Sequence, residues 1–341
     1  MADLIISEKV DRPGLYHMLE KDYHGDPCPK PSLSRSIAQT LILESPRHAK
    51  AEHPRLTEPE EDDEEEKNSR ARDIGSAAHS LLLRQPTEIA VLDYKDFKKK
   101  AAQEERTAAQ EKGAIPLLAK DYKTVLRMID VARAELAMNE HPAVRALGID
   151  DMKGNVLNEV TAAWIDPCGD NWARCRIDQL NVTDERITII DYKTTELSAE
   201  PSKVNKTIFS NEYHFQDAFY RRGIRRLFPE IDDHKKKLSF VFIVQEQFAP
   251  FEITVTEIDE PGRLIGEKMV SNAFMLWRKC LAEDWWPGYP KGVIRAEMPA
   301  YVETSWLARE IEHPYLQKLG YDPVPFYTHN PYRAKPIMEP N

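Results

Sequence analysis

Residues 172–195 read WARCRIDQLNVTDERITIIDYKTT, and the fold turns on how this stretch is read. Two β-rich runs, Trp172 to Val182 and Arg186 to Lys193, flank the turn-forming triplet Thr183-Asp184-Glu185. Side chains alternate across a strand, so Arg176, Asp178 and Leu180 are expected on one face of the first run. In the second, Ile187, Ile189, Asp191 and Lys193 share the inward face. An acid and a lysine directed inward at a strand end are costly to bury unless they are used. With Asp178 on the neighbouring strand, two carboxylates and an ammonium converge at one end of the sheet. Such a group suits phosphodiester hydrolysis. Carboxylate oxygens match a hard cation such as Mg²⁺, whose part in such sites is to polarise phosphate and acidify water. A lysine beside them orients the water or offsets transition-state charge. Taken alone, a D-x-K at a strand end is a common surface pair, so its meaning depends on its surroundings.

Those surroundings extend the pattern in both directions. Upstream, Val156 to Trp164 and the turn Asp166-Pro167-Cys168-Gly169-Asp170 complete a three-strand antiparallel meander. Before it, ARDIGSAAHSLLL (Ala71 to Leu83) has helical spacing, and a polar Lys/Glu/Ala-rich segment leads to a longer helix from about Ile115 to Met138. Downstream come a helix from about Asn211 to Leu227 and Leu238 to Gln245, apolar enough to be a central strand. Phe251 to Ile258 follows as an alternating strand and Arg263 to Glu283 as a long helix. The order helix, three strands, helix, strand over residues 71–245 predicts an α/β core with helices packed on a mixed sheet. Nearer the N-terminus, Ser32 or Ser34 is placed to cap a helix through Ile37, Leu41 and Leu43 that ends near Pro46. Residues 47–70 read as an exposed loop. Three regions result: residues 1–70, a core over 71–300, and a tail rich in proline and aromatics over 301–341.

Composition narrows the class. The 341 residues carry 47 basic and 57 acidic side chains, a formal net charge of -10. That argues against a protein that coats nucleic acid with its whole surface. However, Glu58 to Glu66 reads EPEEDDEEE, and setting its eight acids aside leaves the rest at about -2. No apolar window approaches a membrane span, and the N-terminus MADLIISEKVDRPG lacks the core of a secretory signal, so a cytoplasmic protein without a membrane partner is expected. Cys28, Cys168, Cys175 and Cys280 are scattered, which suits free thiols in a reducing compartment. Basic side chains that suit DNA phosphates include Arg35, Arg176, Arg221 and Arg222, with Arg225 and Arg226 on the same helix as the last pair.

Asp178 followed by Asp191-Tyr192-Lys193, on that order of elements, resembles the PD-(D/E)XK nuclease superfamily, with its restriction-endonuclease-like core and helices on both faces of a mixed central sheet. More narrowly the chain is similar to the exonuclease VIII (RecE-type) group and its RecB-like relatives. Gly75-Ser76-Ala77-Ala78-His79-Ser80-Leu81-Leu82 matches the G-x-x-x-H-x-x-L helix, Asn158-Glu159-Val160-Thr161 the first strand and its glutamate, Asp191-Tyr192-Lys193-Thr194-Thr195 the D-x-K-T-T strand end, and Gln216 to Tyr220 the Q-x-x-x-Y helix. Leu33-Ser34-Arg35-Ser36 and Ser45-Pro46-Arg47-His48 also look like the group's first helix. The resemblance spans roughly residues 30–300. It implies His79, Glu159, Asp178 and Asp191 as ligands of one or two Mg²⁺ ions, with Mn²⁺ a possible substitute. It implies Lys193 as the residue acting on the water, Gln216 and Tyr220 as substrate-engaging side chains, and Thr194 and Thr195 as donors to DNA phosphate. The activity implied is 5′ to 3′ degradation of linear double-stranded DNA to leave 3′ tails for recombination, by a homo-oligomer (a tetramer) working with a RecT-like single-strand annealing protein in a phage or prophage setting. A same-fold nuclease of single-stranded DNA, or a non-catalytic DNA-binding module, are the alternatives. Some RecB-like nucleases hold an iron–sulfur cluster, but the four cysteines here lack the C-x-x-C spacing for one.

Overall fold

A computed structural model describes residues 4–57, 69–85, 87–168 and 171–320. The acidic run 58–66 and residues 321–341 lie outside the described residues. The chain divides into two compact units, Met1–Gly288 and Tyr289–Asn341.

The first unit begins with strands β1 (Leu4–Ile6) and β2 (Gly14–His17), helix α1 (Glu20–His24), strand β3 (Leu33–Ser34), and helices α2 (Arg35–Leu43), α3 (Pro46–Glu52) and α4 (Ser69–Leu82). It continues through β4 (Ile89–Leu92), α5 (Lys100–Glu111), β5 (Ile115–Leu118), α6 (Ala119–Ala137) and α7 (Pro142–Ile149). The meander follows as β6 (Asn155–Asp166), β7 (Asn171–Val182) and β8 (Arg186–Thr195). The remainder is α8 (Pro201–Ser210), α9 (Tyr213–Leu227), β9 (Lys237–Glu246), β10 (Ile253–Thr256) and α10 (Glu260–Glu283). In the second unit the described helix is α11 (Ala300–Glu312), none of whose residues is buried.

The main sheet runs β1-β2-β6-β7-β8-β9-β10, with β3 joined to β7. β6, β7 and β8 pair antiparallel, whereas β9 lies parallel to β8 after a crossover through α8 and α9. The sheet is therefore mixed, as expected, and both faces are covered. On one side Leu180, Ile187, Ile189, Phe240 and Phe242 pack against α2, α9 and α10 through Ile37, Leu41, Phe215, Phe219 and Phe274. On the other, Ile190, Tyr192, Val241 and Ile243 meet Ala77, Ala78 and Leu82 of α4 and Val125, Met128 and Ala132 of α6. Strands buried on both sides need near-continuous apolar runs, which is why Leu238–Val244 reads as it does. Each fully buried large side chain contributes about 1.5–3 kcal/mol of transfer free energy. Helix α9 approaches the sheet closely because position 223 is glycine; a Cβ there would stand 2.6 Å from the Trp164 ring.

Three local expectations give way. Residues 115–118 are strand β5, paired parallel to β4, and not the start of the α6 helix. Pro116 has no N–H to donate and disfavours helical geometry in the residue before it. The stretch after Pro46 is a helix, not a loop, with Pro46 in its first turn and the Ser45 hydroxyl accepting from the His48 N–H. The helix expected from about Asn211 to Leu227 is α9, and α8, capped by Glu200, precedes it as an additional helix.

The third concerns the faces of β7. Ala173, Cys175 and Ile177 belong to the same core as Leu180 and Val182, so the alternation changes phase at Asp178. Strand β6 changes phase opposite it, between Leu157 and Val160, and Glu159 there has φ +50°. The register is unchanged from Asn158↔Gln179 to Val160↔Ile177, and Glu159 and Asp178 face each other there as an unbridged pair at which both strands change phase. Arg176 and Leu180 consequently point to opposite faces, and strict period-2 counting misplaces them.

Candidate active site

Three irregularities in the sheet build the site. The first is the phase slip, which turns Glu159 and Asp178 out of the regular pleat. The second is a fork: β7 and β8 pair only from Gln179↔Ile190 to Val182↔Ile187, and beyond that the strands part. In the gap the Tyr192 N–H donates to the Asp178 side chain (3.1 Å) in place of a strand partner. The third is the docking of α4 onto β8, where a Cβ on Gly75 would lie 2.7 Å from the Thr194 hydroxyl. The missing side chain lets the helix settle low enough for His79 to reach into the fork.

There His79 Nε2 stands 2.8 Å from Asp178 Oδ2, and His79 Nδ1 is 3.6 Å from Glu159 Oε1. Candidate ligand atoms of His79, Glu159 and Asp178 all lie within 4.8 Å of one another, the one such cluster among the described residues. Arg176 donates to Glu159 Oε2 (2.6 Å) and to the Met18 carbonyl (3.3 Å). Asp191 sits behind this trio, engaged by Lys193 Nζ (2.7 Å) and by the Gln216 amide, which donates to Oδ2 (2.5 Å). The Lys193 ammonium also lies 5.5 Å above the Tyr213 ring.

The charges are tightly matched. Burial tends to lower the His79 pKa, but the adjoining Asp178 outweighs it and pushes the value up to about 9. Burial alone would raise Asp178, yet the His79 and Lys193 charges hold it below the ordinary carboxylate value. Burial raises Asp191 and Glu159, and the Asp178 charge adds to both. Burial opposes protonation of Lys193, but Asp191 and Asp178 overcome it and raise its pKa.

A cleft of about 890 Å³ opens over these groups, lined by His79, Glu159, Arg176, Lys193 and Thr194, with His17 to Glu20 on one wall and Arg72, Gly75 and Ser76 of α4 on another. The sequence-predicted residues divide accordingly. His79, Glu159, Asp178, Asp191, Lys193 and Gln216 are brought together, and Arg176 and Thr194 face the cleft. Thr194 accepts from Gln247 (2.8 Å), and Thr195 caps the Leu197 N–H (3.0 Å). Tyr220 is buried and stacked on Phe240, its phenol raised well above the ordinary value by burial. Arg35 opens α2 away from the cleft lining, its Nε buried.

Arg221 and Arg222 do not form a phosphate-facing pair. Arg221 is buried against Asp217 (2.8 Å) and the Leu238 carbonyl (2.9 Å), and Arg222 binds Asp166 and Ser271. The Asp217–Arg221 spacing of four is itself a sequence signal of an ion pair within a helix. The sequence reading passed over several cleft residues, among them Glu20, Arg72, Gln85 and Thr87. Arg72 is two helical turns before His79 and so on its face. Gln85 follows the end of α4 and carried no local signal.

The donor set fits a divalent cation: one imidazole and two carboxylates on three separate elements, open on one side to the cleft. His79, Glu159 and Asp178 would hold such an ion, with Asp191 beside them. The chemistry supplied by a bound divalent ion is polarisation of phosphate oxygen and acidification of water. The chain's own groups do the rest. Lys193, 30% exposed at the cleft floor, would present a positive charge to a phosphate held there. Gln216 fixes the Asp191 carboxylate, and Arg176 fixes Glu159.

A mixed sheet whose central strands fork over an acid–histidine–lysine group of this kind is the architecture of the PD-(D/E)XK nuclease superfamily. The chain belongs to the family described as PDDEXK-like domain of unknown function (DUF3799), which matches residues 36–294. Among solved structures, a chain from Eubacterium rectale described provisionally as an exonuclease superposes with a TM-score of 0.48 at 12% identity, covering 85% of this chain and 98% of the other. No curated protein matches the sequence. Among the described residues no helix is long and apolar enough to cross a membrane.

Proposed function

We propose that this protein is a Mg²⁺-dependent exodeoxyribonuclease that degrades linear double-stranded DNA in the 5′ to 3′ direction, leaving 3′ single strands for recombination. The observation that carries this reading is the convergence of His79, Glu159 and Asp178 within 4.8 Å, backed by Asp191 and Lys193, on the floor of an open cleft. Hard oxygen donors beside a lysine are what hydrolysis of a phosphodiester asks for. Mn²⁺ substitutes for Mg²⁺ on the same donors. The homo-oligomer, a tetramer, and the RecT-like annealing partner in a phage or prophage setting belong to this reading through the RecE-type resemblance.

The test is digestion of 5′- and 3′-labelled linear duplex with and without Mg²⁺, beside single-stranded DNA and a closed circular plasmid. The proposal expects Mg²⁺-dependent loss of the 5′ label, persistence of the 3′-ended strand, and an intact circle. Preferred digestion of single strands would replace the duplex assignment, and a nicked circle would remove the exonuclease one. Full inertness in both Mg²⁺ and Mn²⁺ would leave a DNA-binding module.

A further inference from the structure

Lys193 reaches the cleft floor on a flexible four-carbon stem. Among the described residues its one ion pair is with Asp191 Oδ1 (2.7 Å). A single such contact fixes a distance and leaves the ammonium free to swing about it. The second contact is with the face of Tyr213, whose ring centroid lies 5.5 Å from Nζ. That is inside the roughly 6 Å over which a ring face attracts an ammonium.

The Tyr213 ring is itself held. It stacks on Phe242 at 5.6 Å and 13°, Phe242 stacks on Phe240 at 4.6 Å and 19°, and Phe240 on Tyr220 at 5.8 Å and 23°. Phe242 is the register partner of Asp191 between β8 and β9, so the row of rings runs beside the strand end that carries Lys193. Tyr213, Gln216 and Tyr220 recur on α9 at the spacing of one helix face. That face grips the two phenylalanines of β9 at two points, and the Gln216 amide that donates to Asp191 lies between them. The start of the helix sets the first point. Glu212, at φ +56°, precedes α9 in the left-handed region, and its carbonyl accepts from the N–H groups of Phe215 (3.0 Å) and Gln216 (3.3 Å). Tyr213 is not part of the cleft lining, so it touches Lys193 without facing the cleft.

We propose that Tyr213 is the positioning residue of Lys193: its ring face, held by stacking on β9, keeps the ammonium directed along the cleft floor. It meets no reacting atom and acts through Lys193. The inference rests on the nuclease reading above, and its test separates the two.

The experiment is steady-state cleavage of end-labelled linear duplex at saturating Mg²⁺ by the full-length wild type, Tyr213→Phe, Tyr213→Leu and a variant with trifluorophenylalanine in place of Tyr213. Phenylalanine keeps the ring face and loses only the hydroxyl. Ring fluorination keeps shape and stacking but strips the face of its negative charge, so it distinguishes attraction from packing without emptying the site. Tyr213→Leu and the fluorinated variant are expected to lower kcat about 3–30-fold with KM near the wild-type value, while Tyr213→Phe stays close to wild type. Wild-type kcat with the fluorinated ring overturns the proposal whatever Tyr213→Leu does, because bulk alone would then suffice. A loss in Tyr213→Phe as large as that on fluorination also overturns it, because the hydroxyl would then be the working group. If the wild type cleaves no DNA in Mg²⁺, the nuclease reading fails and takes this inference with it.

Discussion

Strand β7 serves two buried polar clusters, and they are built to opposite rules. At its start, Arg174 enters a sealed group with Asp26, Ser32, His53 and Arg55. The side chains of Asp26 and His53 are wholly buried, and that of Arg174 is 3% exposed. Asp26 accepts from Ser32 N (3.0 Å), Ser32 Oγ (2.5 Å), Arg174 (3.0 Å) and Arg55 (3.4 Å). One carboxylate faces two guanidinium groups, and burial lowers the His53 pKa and keeps that ring neutral. Four residues on, Asp178 joins Glu159 and Asp191 in a group whose side chains line or underlie an 890 Å³ cleft. There three carboxylates crowd together, and two of them are pushed toward their protonated forms. The sealed cluster completes itself with protein donors. The open one holds negative charge in reserve for something that enters.

Substitutions can break that contrast. The largest effect falls on the open cluster: Asp191→Ala is expected to lower cleavage of labelled duplex by about 10³-fold or more at saturating Mg²⁺. Duplex binding and the melting point in chelator should stay near wild type, since Lys193 can reach water. Near-normal turnover would remove Asp191 from the chemistry.

Arg174→Met attacks the sealed cluster, leaving Asp26 without its main counter-charge. Loss of one partner of a buried ion pair costs about 3–5 kcal/mol, to be read from denaturant unfolding. A change below about 1 kcal/mol would show the cluster to be dispensable.

Acidity sharpens the comparison next. The His79 pKa, about 9 in the metal-free protein, lies above the value of about 6.5 for an unfolded histidine. Its ion pair with Asp178 therefore stabilises the metal-free fold fully below pH 6.5, and that stabilisation is lost as pH climbs through 9. Binding a divalent ion has to displace the same proton. Mn²⁺ affinity should accordingly rise across this interval and level off above it, with proton release detectable by calorimetry in buffers of different ionisation enthalpy. A pH-independent affinity would refute the coupling.

The smallest effect concerns DNA phosphates. Arg72→Ala, in the cleft wall, should reduce the slope of log affinity against log salt by about one, while Arg226→Ala, away from the cleft, should leave it unchanged. The reverse result would restore the α9 arginines as the DNA track.

Much of this was legible in the sequence where the signal is periodic. The meander and β9 stand out because β-branched and apolar runs are long and their turns are rich in Asp, Pro and Gly. Strands β1, β2, β4 and β5, of three or four residues each, are too short for a period to emerge. Asp178, Asp191 and Lys193 could be singled out because charge at an inward strand position is anomalous. His79 and Glu159 rested on resemblance, since one histidine and one glutamate carry no pattern. The phase slip at Glu159 and Asp178 was beyond reach, because strand counting assumes the regularity that the site abolishes. Arg222 misled for a related reason: its partner, Asp166, is 56 residues away and comes near only through the fold.

The close seat of α4 on β8 bears on ionic radius. With no side chain at Gly75, the distance from the imidazole to the carboxylates is held short by contact between a helix backbone and the Thr194 hydroxyl, itself tied to Gln247. Ligand shells about 2.0–2.1 Å in radius suit Mg²⁺, and those of about 2.3–2.6 Å suit Ca²⁺. An added methyl in Gly75→Ala would force the helix to retreat or Thr194 to surrender its hydrogen bond, and the preference between the two ions should drift toward the larger. Competition titration of Mg²⁺ against Ca²⁺ reads that drift, and an unchanged ratio would deny the helix its part as a gauge of ion size.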